Sequence, residues 1–351
     1  MAQKMKAVRK TKAAPGAELL EIDVPKIRSD EVLVKVRACS ICGTDVHIYK
    51  WDPWAQGRIG AKKLPQTLGH ELAGDVVEVG ANVKKIKVGD YVSAETHIPC
   101  GHCFQCLTGQ EHICANLSIL GVDCNGSFAE YIAVPELVCW VNDKSIPPEF
   151  ATIQEPLGNA VYAVLGEDYN VSGKSLAVMG AGPVGLFGIA VAKASGAIAV
   201  FATDVNEYRL GLAKKLGATQ TLNPKKTDVV AEIIKATGGN GVDVAIEMSG
   251  NPEALRQAFK ATTPGGRVSI LGLYNGEVTV DFNNDIVFKA LRVHGVTGRI
   301  MFSTWYKSAG FLKSGLVDVK TIITHQFPLL EFEKGMRLMV EGNCGKVVLI
   351  P

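Results

Sequence analysis

Residues 176–185 read Leu-Ala-Val-Met-Gly-Ala-Gly-Pro-Val-Gly, a short apolar run that ends in a glycine-rich turn. Gly180, Gly182 and Gly185 have the spacing GxGxxG, which is informative only where it joins a strand to a helix. That context is present, because the apolar run precedes the turn and residues 184–195 have a helical composition. In such a turn the first glycine permits the tight bend, the second admits a pyrophosphate, and the third lets helix and strand pack closely. The segment therefore predicts a dinucleotide-binding unit whose phosphates lie at a helix N-terminus.

The sequence after this turn alternates between strand-like and helix-like segments. Predicted strands cover residues 198–204, 242–248 and 267–272, and predicted helices cover residues 206–216 and 253–262. Such alternation is typical of a parallel sheet with helices on both faces. We therefore expect an α/β domain with a doubly wound parallel sheet in this half of the chain.

Asp204 ends the strand that follows the predicted phosphate-binding helix. A carboxylate about 20 residues beyond the glycine turn accepts hydrogen bonds from the adenosine ribose and repels a 2′-phosphate. This position predicts NAD rather than NADP. Arg209 follows on the same segment, and an arginine near the ribose can accept a phosphate. We interpret Arg209 as packing beside the adenosine, with Asp204 deciding the choice of cofactor.

Four cysteines occupy one short stretch ahead of this domain, namely Cys100, Cys103, Cys106 and Cys114. Tetrahedral Zn²⁺ uses this spacing, and four thiolates with no further ligand form a closed, structural site. Disulfides fit less well, because residues 1–6 carry no apolar stretch after their charges and so do not resemble a signal peptide. An iron–sulfur cluster is the other metal interpretation, but no proline or fifth cysteine follows in the ferredoxin style. We therefore predict a cytoplasmic protein with a structural zinc.

Length and charge limit the possible partners. The chain has 351 residues and a formal net charge of +2. Two domains are expected, because single hydrophobic cores stop growing below this length. Lysines are scattered rather than arranged in stripes, and no apolar run is long enough to cross a bilayer. We therefore expect no nucleic-acid or membrane partner and a small-molecule substrate. Residues 1–150 are rich in strand-like segments, such as residues 31–37 and 73–79.

A second group of possible metal ligands is scattered through this β-rich part. Cys42, His70 and Glu71 offer a thiolate, an imidazole and a carboxylate, and three such ligands leave zinc an open fourth position for substrate. Glu155 is a further carboxylate, just before the nucleotide-binding half. Singly, these residues are ordinary: a core cysteine, a buried histidine and solvated charges. Their occurrence together with a dinucleotide turn and a four-cysteine segment favours a catalytic zinc site.

The whole chain resembles the zinc-dependent medium-chain alcohol dehydrogenases. The motifs that carry this resemblance are Cys42-Gly-Thr-Asp, Gly69-His-Glu, the four-cysteine segment and the glycine turn. Within that superfamily the chain is most similar to the L-threonine 3-dehydrogenase family. The narrower resemblance rests on segments spread over nearly the whole length, which are residues 42–52, 97–103, 158–161, 204–210, 247–250, 304–307 and 323–325.

This resemblance implies an α/β fold with a GroES-like, β-rich catalytic domain and a Rossmann domain built on a doubly wound parallel sheet. The implied ranges are 1–157 for the catalytic domain with its zinc lobe, 158–296 for the NAD-binding domain, and 297–351 for the C-terminal part of the catalytic domain. Members of the family assemble as tetramers or dimers, so a homotetramer is expected. The implied reaction is the NAD-dependent oxidation of L-threonine to 2-amino-3-ketobutyrate, with zinc as a Lewis acid.

The resemblance also implies roles for individual residues. Catalytic zinc is expected on Cys42, His70 and Glu71, with Glu155 either a direct ligand in exchange with Glu71 or a proton-relay partner. The expected proton relay is Thr44 with His47, and the residue expected beside the substrate is His97. The residues expected to contact the cofactor are Gly180, Gly182, Val184, Gly185, Asp204, Arg209, Leu271, Gly272, Leu273, Val296 and Thr297.

One departure from the family concerns the substrate. Tyr162 stands where the threonine enzymes often carry histidine, so it either alters the pocket or packs in the core. A polyol or 2,3-butanediol dehydrogenase of the same superfamily is the enzymatic alternative. A non-catalytic relative that binds a dinucleotide is the alternative of another class, but such a chain should lack Cys42 or His70.

Overall fold

The computed structural model describes residues 3–166 and 170–351. Met1 and Ala2, which belong to the segment considered for a signal peptide, lie outside the described residues. The chain divides into two compact units. The first unit consists of Met1–Glu155, Ile323–Glu341 and Lys346–Pro351, and the second consists of Pro156–Ile322 and Gly342–Gly345.

The described residues form eighteen strands. In chain order they are β1 (Lys4–Lys10), β2 (Glu18–Asp23), β3 (Glu31–Ile41), β4 (Gln66–Thr67), β5 (Glu71–Val79), β6 (Tyr91–Ala94), β7 (His97–Ile98), β8 (Ser118–Ile119), β9 (Tyr131–Pro135), β10 (Cys139–Val141), β11 (Ser175–Met179), β12 (Ala199–Thr203), β13 (Gln220–Leu222), β14 (Val242–Glu247), β15 (Thr262–Ile270), β16 (Arg292–Gly295), β17 (Ile323–Pro328) and β18 (Lys346–Ile350).

The helices are longest in the nucleotide-binding half. In chain order the α-helices are α1 (Gly43–Lys50), α2 (Pro53–Arg58), α3 (Phe104–Leu107), α4 (Pro148–Ala151), α5 (Gln154–Leu165), α6 (Pro183–Ala194), α7 (Glu207–Lys215), α8 (Val229–Ala236), α9 (Pro252–Ala261), α10 (Ser303–Ser314), α11 (Val319–Ile322) and α12 (Phe332–Glu341). Shorter helical turns cover Ala61–Lys63, Glu111–Ile113, Glu136–Val138, Phe282–Val287 and Leu329–Glu331.

The first unit is built around a seven-stranded sheet with the order β10-β6-β5-β3-β18-β17, in which β9 also pairs with β3. β3 is the central strand and is buried at most of its positions, as its run of valines and other apolar residues predicts. The C-terminal strand returns to it, because Val347 lies opposite Ile41 and Leu349 opposite Cys39 in an antiparallel ladder. The first and last parts of the chain therefore share one sheet.

The second unit contains a six-stranded sheet with the order β13-β12-β11-β14-β15-β16, in which every pairing is parallel. The expected doubly wound Rossmann sheet is thereby confirmed. The strand order reverses between β11 and β14, and in such sheets ligands bind outside the carboxyl ends of the strands at this point. A buried apolar cluster that includes Phe201, Ile233 and Phe259 packs against the sheet.

Residues 297–322 belong to the second unit, and the chain returns to the first unit at Ile323, whereas the sequence placed this return at residue 297. The fully buried Arg299 gives a physical reason, because its Nη1 donates to Asn159 Oδ1 at 3.0 Å within the second unit. Its side chain also passes over Gly158, where an added Cβ would lie 2.9 Å from Arg299 Cδ.

Among residues 3–166 and 170–351, no helix has the length and apolar character that crossing a membrane requires.

Candidate metal centre and cofactor site

The possible catalytic ligands of the first unit meet where β3 ends and β5 begins. Cys42 is the N-cap of α1, directly after β3, while Glu71 opens β5 and lies opposite Ser40 of β3. One donor atom from each of Cys42, His70 and Glu71 lies within 4.8 Å of the others. His70 and Glu71 are buried. The three side chains therefore form a compact set of one thiol, one imidazole and one carboxylate.

Asp45 lies beside this cluster and contacts the backbone next to two of its donors, Cys42 and His70. Its Oδ2 accepts the backbone N–H of Cys42 at 2.9 Å, and its Oδ1 accepts the N–H of Gly69 at 3.1 Å. The same Oδ1 lies 3.6 Å from Nδ1 of His70. A carboxylate beside one imidazole nitrogen orients the ring and leaves the other nitrogen for a metal. The fully buried Asp45 thus fixes the backbone at Cys42 and at Gly69, the residue before His70, and places a carboxylate beside the His70 ring.

Lys346 is a buried cation beside Glu71. Its Nζ lies 2.6 Å from Oε1 of Glu71 and donates to the carbonyl oxygen of Ile41 at 2.9 Å. The other Glu71 oxygen accepts a hydrogen bond from the Ser40 hydroxyl. The side chains of Lys346 and Glu71 are 1% and 0% exposed. One carboxylate therefore ties together β3, β5 and β18, and its orientation is fixed by protein groups.

Negative charge is in excess at this cluster. Burial alone would lower the pKa of His70, but Asp45, Cys42 and Glu155 raise it to about 10. Burial also opposes the charge on Lys346, yet Glu71 and Cys42 raise the pKa of this amine. Basic groups hold protons more tightly where the surrounding charge is negative, and a divalent cation neutralises such charge. Because sulfur, nitrogen and oxygen donors are the ligands of zinc in proteins, the residues fit that ion.

Glu155 acts on the cluster from a separate element. It lies in the first turn of α5, is 4% exposed, and accepts a hydrogen bond from Thr96 Oγ1 at 3.4 Å. It is not one of the three grouped donors. Its negative charge nevertheless contributes, after burial, to raising the pKa of Glu71. The structure therefore brings Glu155 near the centre and groups Glu71, rather than Glu155, with Cys42 and His70.

Thr44 and His47 lie on one face of α1, because residues three apart are neighbours on a helix. Thr44 Oγ1 is 3.9 Å from Cys42 Sγ. His47 Nδ1 pairs with Asp52 Oδ2, and its side chain is 44% exposed. The helix thus carries a hydroxyl next to the metal cluster and a half-exposed imidazole one turn further on.

His97 begins β7 and lies opposite Ile119 of β8. It is 8% exposed, and its backbone N–H donates to Oε1 of the fully buried Glu95 at 2.9 Å. His97 is held by its own strand and is not part of the grouped metal donors.

The four predicted structural ligands converge as expected. Donor atoms of Cys100, Cys103, Cys106 and Cys114 all lie within 4.8 Å of one another, and all four are free thiols. Cys103 Sγ lies 3.5 Å from Cys106 Sγ and 3.7 Å from Cys114 Sγ. Sulfurs about 3.8 Å apart are what a tetrahedron with Zn–S bonds of about 2.3 Å requires. The four thiols therefore fit a closed zinc site.

The local backbone favours the ionised form of two of these thiols. The N–H of His102 leads the interactions that lower the pKa of Cys100 to about 5, and the N–H of Cys106 leads those that lower the pKa of Cys103. Burial raises the pKa of Cys106 to about 12, and the Cys103 thiol adds to this effect. A bound divalent cation is what would keep all four sulfurs ionised at once.

In the second unit, the glycine turn connects β11 to α6 as predicted. Gly180 has φ of +100°, and a Cβ there would lie 2.8 Å from Ser249 Cβ. A Cβ on Gly185 would lie 2.0 Å from the Gly180 carbonyl oxygen, so the helix needs glycine to approach the strand. At Gly182 the nearest atom to an added Cβ is Arg209 Nη1, at 4.0 Å. The space above the second glycine is therefore open, at the N-terminus of α6, where a phosphate would fit.

Asp204 follows β12 and is bonded to the glycine turn itself. Its Oδ2 accepts the N–H of Ala181 at 2.9 Å, and its Oδ1 accepts the N–H of Asn206 at 2.9 Å. Arg209, one turn into α7, lies beside Gly182 and Gly342. Asp204 therefore follows β12 directly, and its carboxylate holds the backbone of the glycine turn.

The other expected cofactor residues lie at the same edge of the sheet. Leu271, Gly272 and Leu273 follow β15, and Val296 and Thr297 follow β16. Leu273 is 72% exposed, whereas Val296 is buried and its N–H bonds to the carbonyl of Ile270. The carboxyl ends of β11, β12, β15 and β16 thus assemble every segment that the sequence assigned to the dinucleotide.

Tyr162 occupies the core of the second unit. It is 7% exposed on α5, and its ring packs edge-on against His294 of β16 with centroids 5.2 Å apart. Tyr162 therefore packs between α5 and β16.

The sequence did not identify three of the residues that shape these sites. Asp45 could have been noticed three residues after Cys42, a position where an acid caps its own helix. The buried roles of Lys346 and Ser40 leave no local signal, because each depends on pairing between strands distant in sequence.

Two family profiles match the chain. The alcohol dehydrogenase GroES-like domain matches residues 28–143, and the zinc-binding dehydrogenase profile matches residues 183–314. The first range contains both groups of metal donors, and the second begins inside the glycine turn and contains Gly185 and Asp204. Together with the geometry, these matches define the class: a zinc-dependent, NAD-linked dehydrogenase of the medium-chain alcohol dehydrogenase superfamily.

Individual relatives narrow this class. The chain is 56% identical to the L-threonine 3-dehydrogenase of Caldanaerobacter subterraneus subsp. tengcongensis over 99% of both chains. It is also 56% identical to that of Pyrococcus abyssi, over 100% of this chain and 99% of the relative. Among solved structures, 2R,3R-butanediol dehydrogenase from Bacillus subtilis is 32% identical, with a TM-score of 0.89 over 99% of each chain. The chain belongs to the L-threonine 3-dehydrogenase family.

Proposed function

We propose that this protein oxidises the secondary alcohol of L-threonine to 2-amino-3-ketobutyrate, with NAD as the hydride acceptor. The observation that carries the chemistry is the convergence of Cys42, His70 and Glu71, whose donor atoms lie within 4.8 Å of one another. The substrate is supported by the 56% identity, over 99% of both chains, with a curated threonine dehydrogenase.

The catalytic zinc would be held by Cys42, His70 and Glu71, with Glu155 as the alternative carboxylate. Zinc supplies a Lewis acid there, which lowers the pKa of an alcohol toward neutrality. The protein's own part is to keep the donors preorganised. Asp45 holds the backbone of Cys42 and of Gly69, next to His70, and Lys346 with Ser40 fixes both oxygens of Glu71. Residues that bond to the metal ligands in this way increase the metal affinity and also orient the ligands.

Thr44 and His47 would carry the substrate proton to solvent. The Thr44 hydroxyl can accept one hydrogen bond while donating another, and the two ring nitrogens of His47 can accept a proton on one side and donate one on the other. Their placement supports this path, because Thr44 lies beside Cys42 and His47 is 44% exposed. His97 is proposed to contact the substrate from β7.

NAD would bind at the carboxyl edge of the sheet in the second unit and supply the hydride acceptor. We assign its pyrophosphate to the open space above Gly182 and its adenosine ribose to Asp204. Val184, Gly180 and Gly185 form the surrounding turn, and Arg209 lies beside it. The remaining proposed contacts come from Leu271, Gly272, Leu273, Val296 and Thr297.

A cytoplasmic homotetramer acting on a small molecule, with no nucleic-acid or membrane partner, is the proposed working form. The near-neutral charge of +2 and the scattered distribution of lysines along the sequence support a small-molecule substrate rather than nucleic acid. Sedimentation of the purified protein measures the assembly directly.

A substrate panel tests the proposed reaction. NADH production is measured with L-threonine, L-allo-threonine, 2,3-butanediol, sorbitol and ethanol, on protein whose zinc content is determined in parallel. We expect the highest kcat/KM with L-threonine and about two zinc ions per chain. Preference for 2,3-butanediol or sorbitol would support the alternative of a diol or polyol dehydrogenase, while a single zinc and no turnover would indicate a non-catalytic relative.

His47→Asn tests the proton relay. We expect kcat to fall by roughly 10²-fold and its pH dependence to change, because the imidazole that would pass the proton to solvent is lost. His325→Asn is the matched control, since His325 also belongs to the first unit but lies on β17 and stacks on Phe327. The relay is rejected if the pH–rate profile of His47→Asn equals that of the wild type.

Asp204→Ala tests the discrimination between cofactors. The substitution removes the carboxylate that would repel a 2′-phosphate, so we expect the ratio of kcat/KM for NAD over NADP to fall by about tenfold or more. Glu207→Ala is the control, because it removes a nearby charge that is bonded to Asn223 and Lys226 instead. An unchanged ratio in Asp204→Ala would refute the assignment of Asp204 to the adenosine ribose.

A further inference from the structure

Glu247 is a completely buried carboxylate at the carboxyl end of β14, one of the two strands that flank the switch point of the second unit. Its Oε1 accepts the backbone N–H and the hydroxyl of Ser249, with the former at 2.8 Å, and the N–H of Gly250 at 3.1 Å. These bonds fold the turn that follows β14 around a single carboxylate oxygen.

The same residue also holds the segment that follows β15. Its backbone carbonyl accepts the N–H groups of Leu271 and Gly272 at 2.9 and 3.2 Å. Its Oε2 accepts the Tyr274 hydroxyl at 2.7 Å. Burial raises the pKa of Tyr274 and the Glu247 carboxylate raises it further, so the phenol remains a proton donor to this oxygen.

The segments that follow β14 and β15 pack closely against each other at two glycines. A Cβ on Gly272 would lie 2.3 Å from Glu247 Oε2, and a Cβ on Gly250 would lie 2.3 Å from the Leu273 carbonyl oxygen. Ser249 in turn lies against Gly180, the first glycine of the phosphate-binding turn. The carboxylate therefore joins the loops at the ends of β11, β14 and β15.

We infer that Glu247 is a positioning residue for the cofactor, which sets the conformation of residues 271–273 and of the turn beside Gly180. The inference rests on the proposed NAD site, because it assigns no contact with substrate or metal to Glu247 itself. Losing the carboxylate leaves the N–H and hydroxyl of Ser249, the N–H of Gly250 and the hydroxyl of Tyr274 without this acceptor. The two segments then lose their common anchor and can shift to bond with water instead.

The variants for the test are Glu247→Ala, Glu247→Gln and Tyr274→Phe, with Asp243→Ala as the matched control. Asp243 lies near the opposite end of β14, and its Oδ2 accepts the N–H and hydroxyl of Ser175 at 2.7 and 2.8 Å. The control thus removes a carboxylate anchor from the same strand, away from the cofactor edge. The measurements are the Kd of NAD, the KM values of NAD and L-threonine, and the thermal midpoint.

We expect Glu247→Ala to raise the Kd and KM of NAD by about tenfold or more. Glu247→Gln should recover much of this loss, because one amide oxygen can still accept from Ser249 and Gly250. Tyr274→Phe, which removes one hydroxyl only, should raise the KM of NAD by about threefold while leaving the KM of L-threonine unchanged. Asp243→Ala should lower the thermal midpoint without changing the Kd of NAD.

Tyr274→Phe keeps the test decisive if Glu247→Ala does not fold. Wild-type affinity for NAD in the folded Glu247 and Tyr274 variants, with a lowered thermal midpoint as in Asp243→Ala, would overturn the positioning role and leave the proposed reaction standing. Failure of the wild-type protein to bind NAD would overturn the proposed function and this inference together.

Discussion

Cys42→Ser is expected to abolish turnover, with a loss of at least about 10³-fold, while the fold and NAD binding persist. Lewis-acid stabilisation of the transition state is worth several kcal/mol, and about 1.4 kcal/mol corresponds to a factor of ten in rate. Serine is a poor replacement, because a thiolate is one of the standard zinc ligands and a neutral hydroxyl is not. The zinc content should fall from about two ions per chain to about one, since the four-cysteine site is untouched.

Cys39→Ser provides the matched control for this loss. Cys39 lies three residues earlier, is fully buried on β3, and its thiol points to the Leu349 carbonyl at 3.7 Å. It should retain both zinc ions and its activity. The metal assay separates the two variants without relying on turnover, and an NAD titration shows that both still bind the cofactor. A Cys42→Ser sample with two zincs per chain and wild-type activity would refute the catalytic-zinc assignment.

Of the proposed substitutions, Lys346→Met is expected to lower the free energy of unfolding most. In zinc-free protein, where no metal compensates Glu71, it leaves this carboxylate as a buried charge without its cation, and breaking a buried ion pair in this way costs about 3–5 kcal/mol. For a unit of this size the midpoint of thermal unfolding should fall by roughly 6–20 °C. The methionine occupies similar volume, so the effect reports the lost charge more than a cavity.

Two further variants isolate the ion pair. Lys346→Met combined with Glu71→Gln removes both charges and should recover a large part of the lost stability, because the penalty lies in the unpaired carboxylate. Lys334→Met breaks an exposed ion pair, in which the side chains of Lys334 and Glu331 are 58% and 40% exposed. It should change the free energy of unfolding by no more than about 1 kcal/mol. Equal thermal midpoints for Lys346→Met and Lys334→Met would show that the buried ion pair contributes no more to stability than the exposed one.

Much of the second unit was predictable from sequence. The apolar run, the glycine turn and the helix after it correspond to β11, Gly180–Gly185 and α6, and the next strand ends beside Asp204 as expected. These features are local: a glycine turn and a strand–helix alternation are set by residues within a few positions of one another. The four-cysteine cluster was predictable for the same reason, because its ligands lie close together in the chain.

The catalytic cluster was only partly predictable. Its donors Cys42, His70 and Glu71 were chosen by residue type and by resemblance, and the structure brings their atoms together. Asp45 was visible as part of the motif but had no assigned task. The C-terminal run was recognised as apolar, yet nothing in it indicated that Lys346 enters the core as the partner of Glu71.

The sequence alone determined the kinds of chemistry available to this protein: a dinucleotide turn, a closed thiolate site and a set of open-site zinc donors. The tertiary structure decided which groups hold those donors in position. Lys346 reaches Glu71 across 275 residues because β18 pairs with β3, and Glu247 gathers two loops because β14 lies between β11 and β15. The cost of burying a charge depends on its neighbours in space. Only the strand pairing brings these neighbours together. The roles of Lys346 and Glu247 can therefore be recognised only in the tertiary structure.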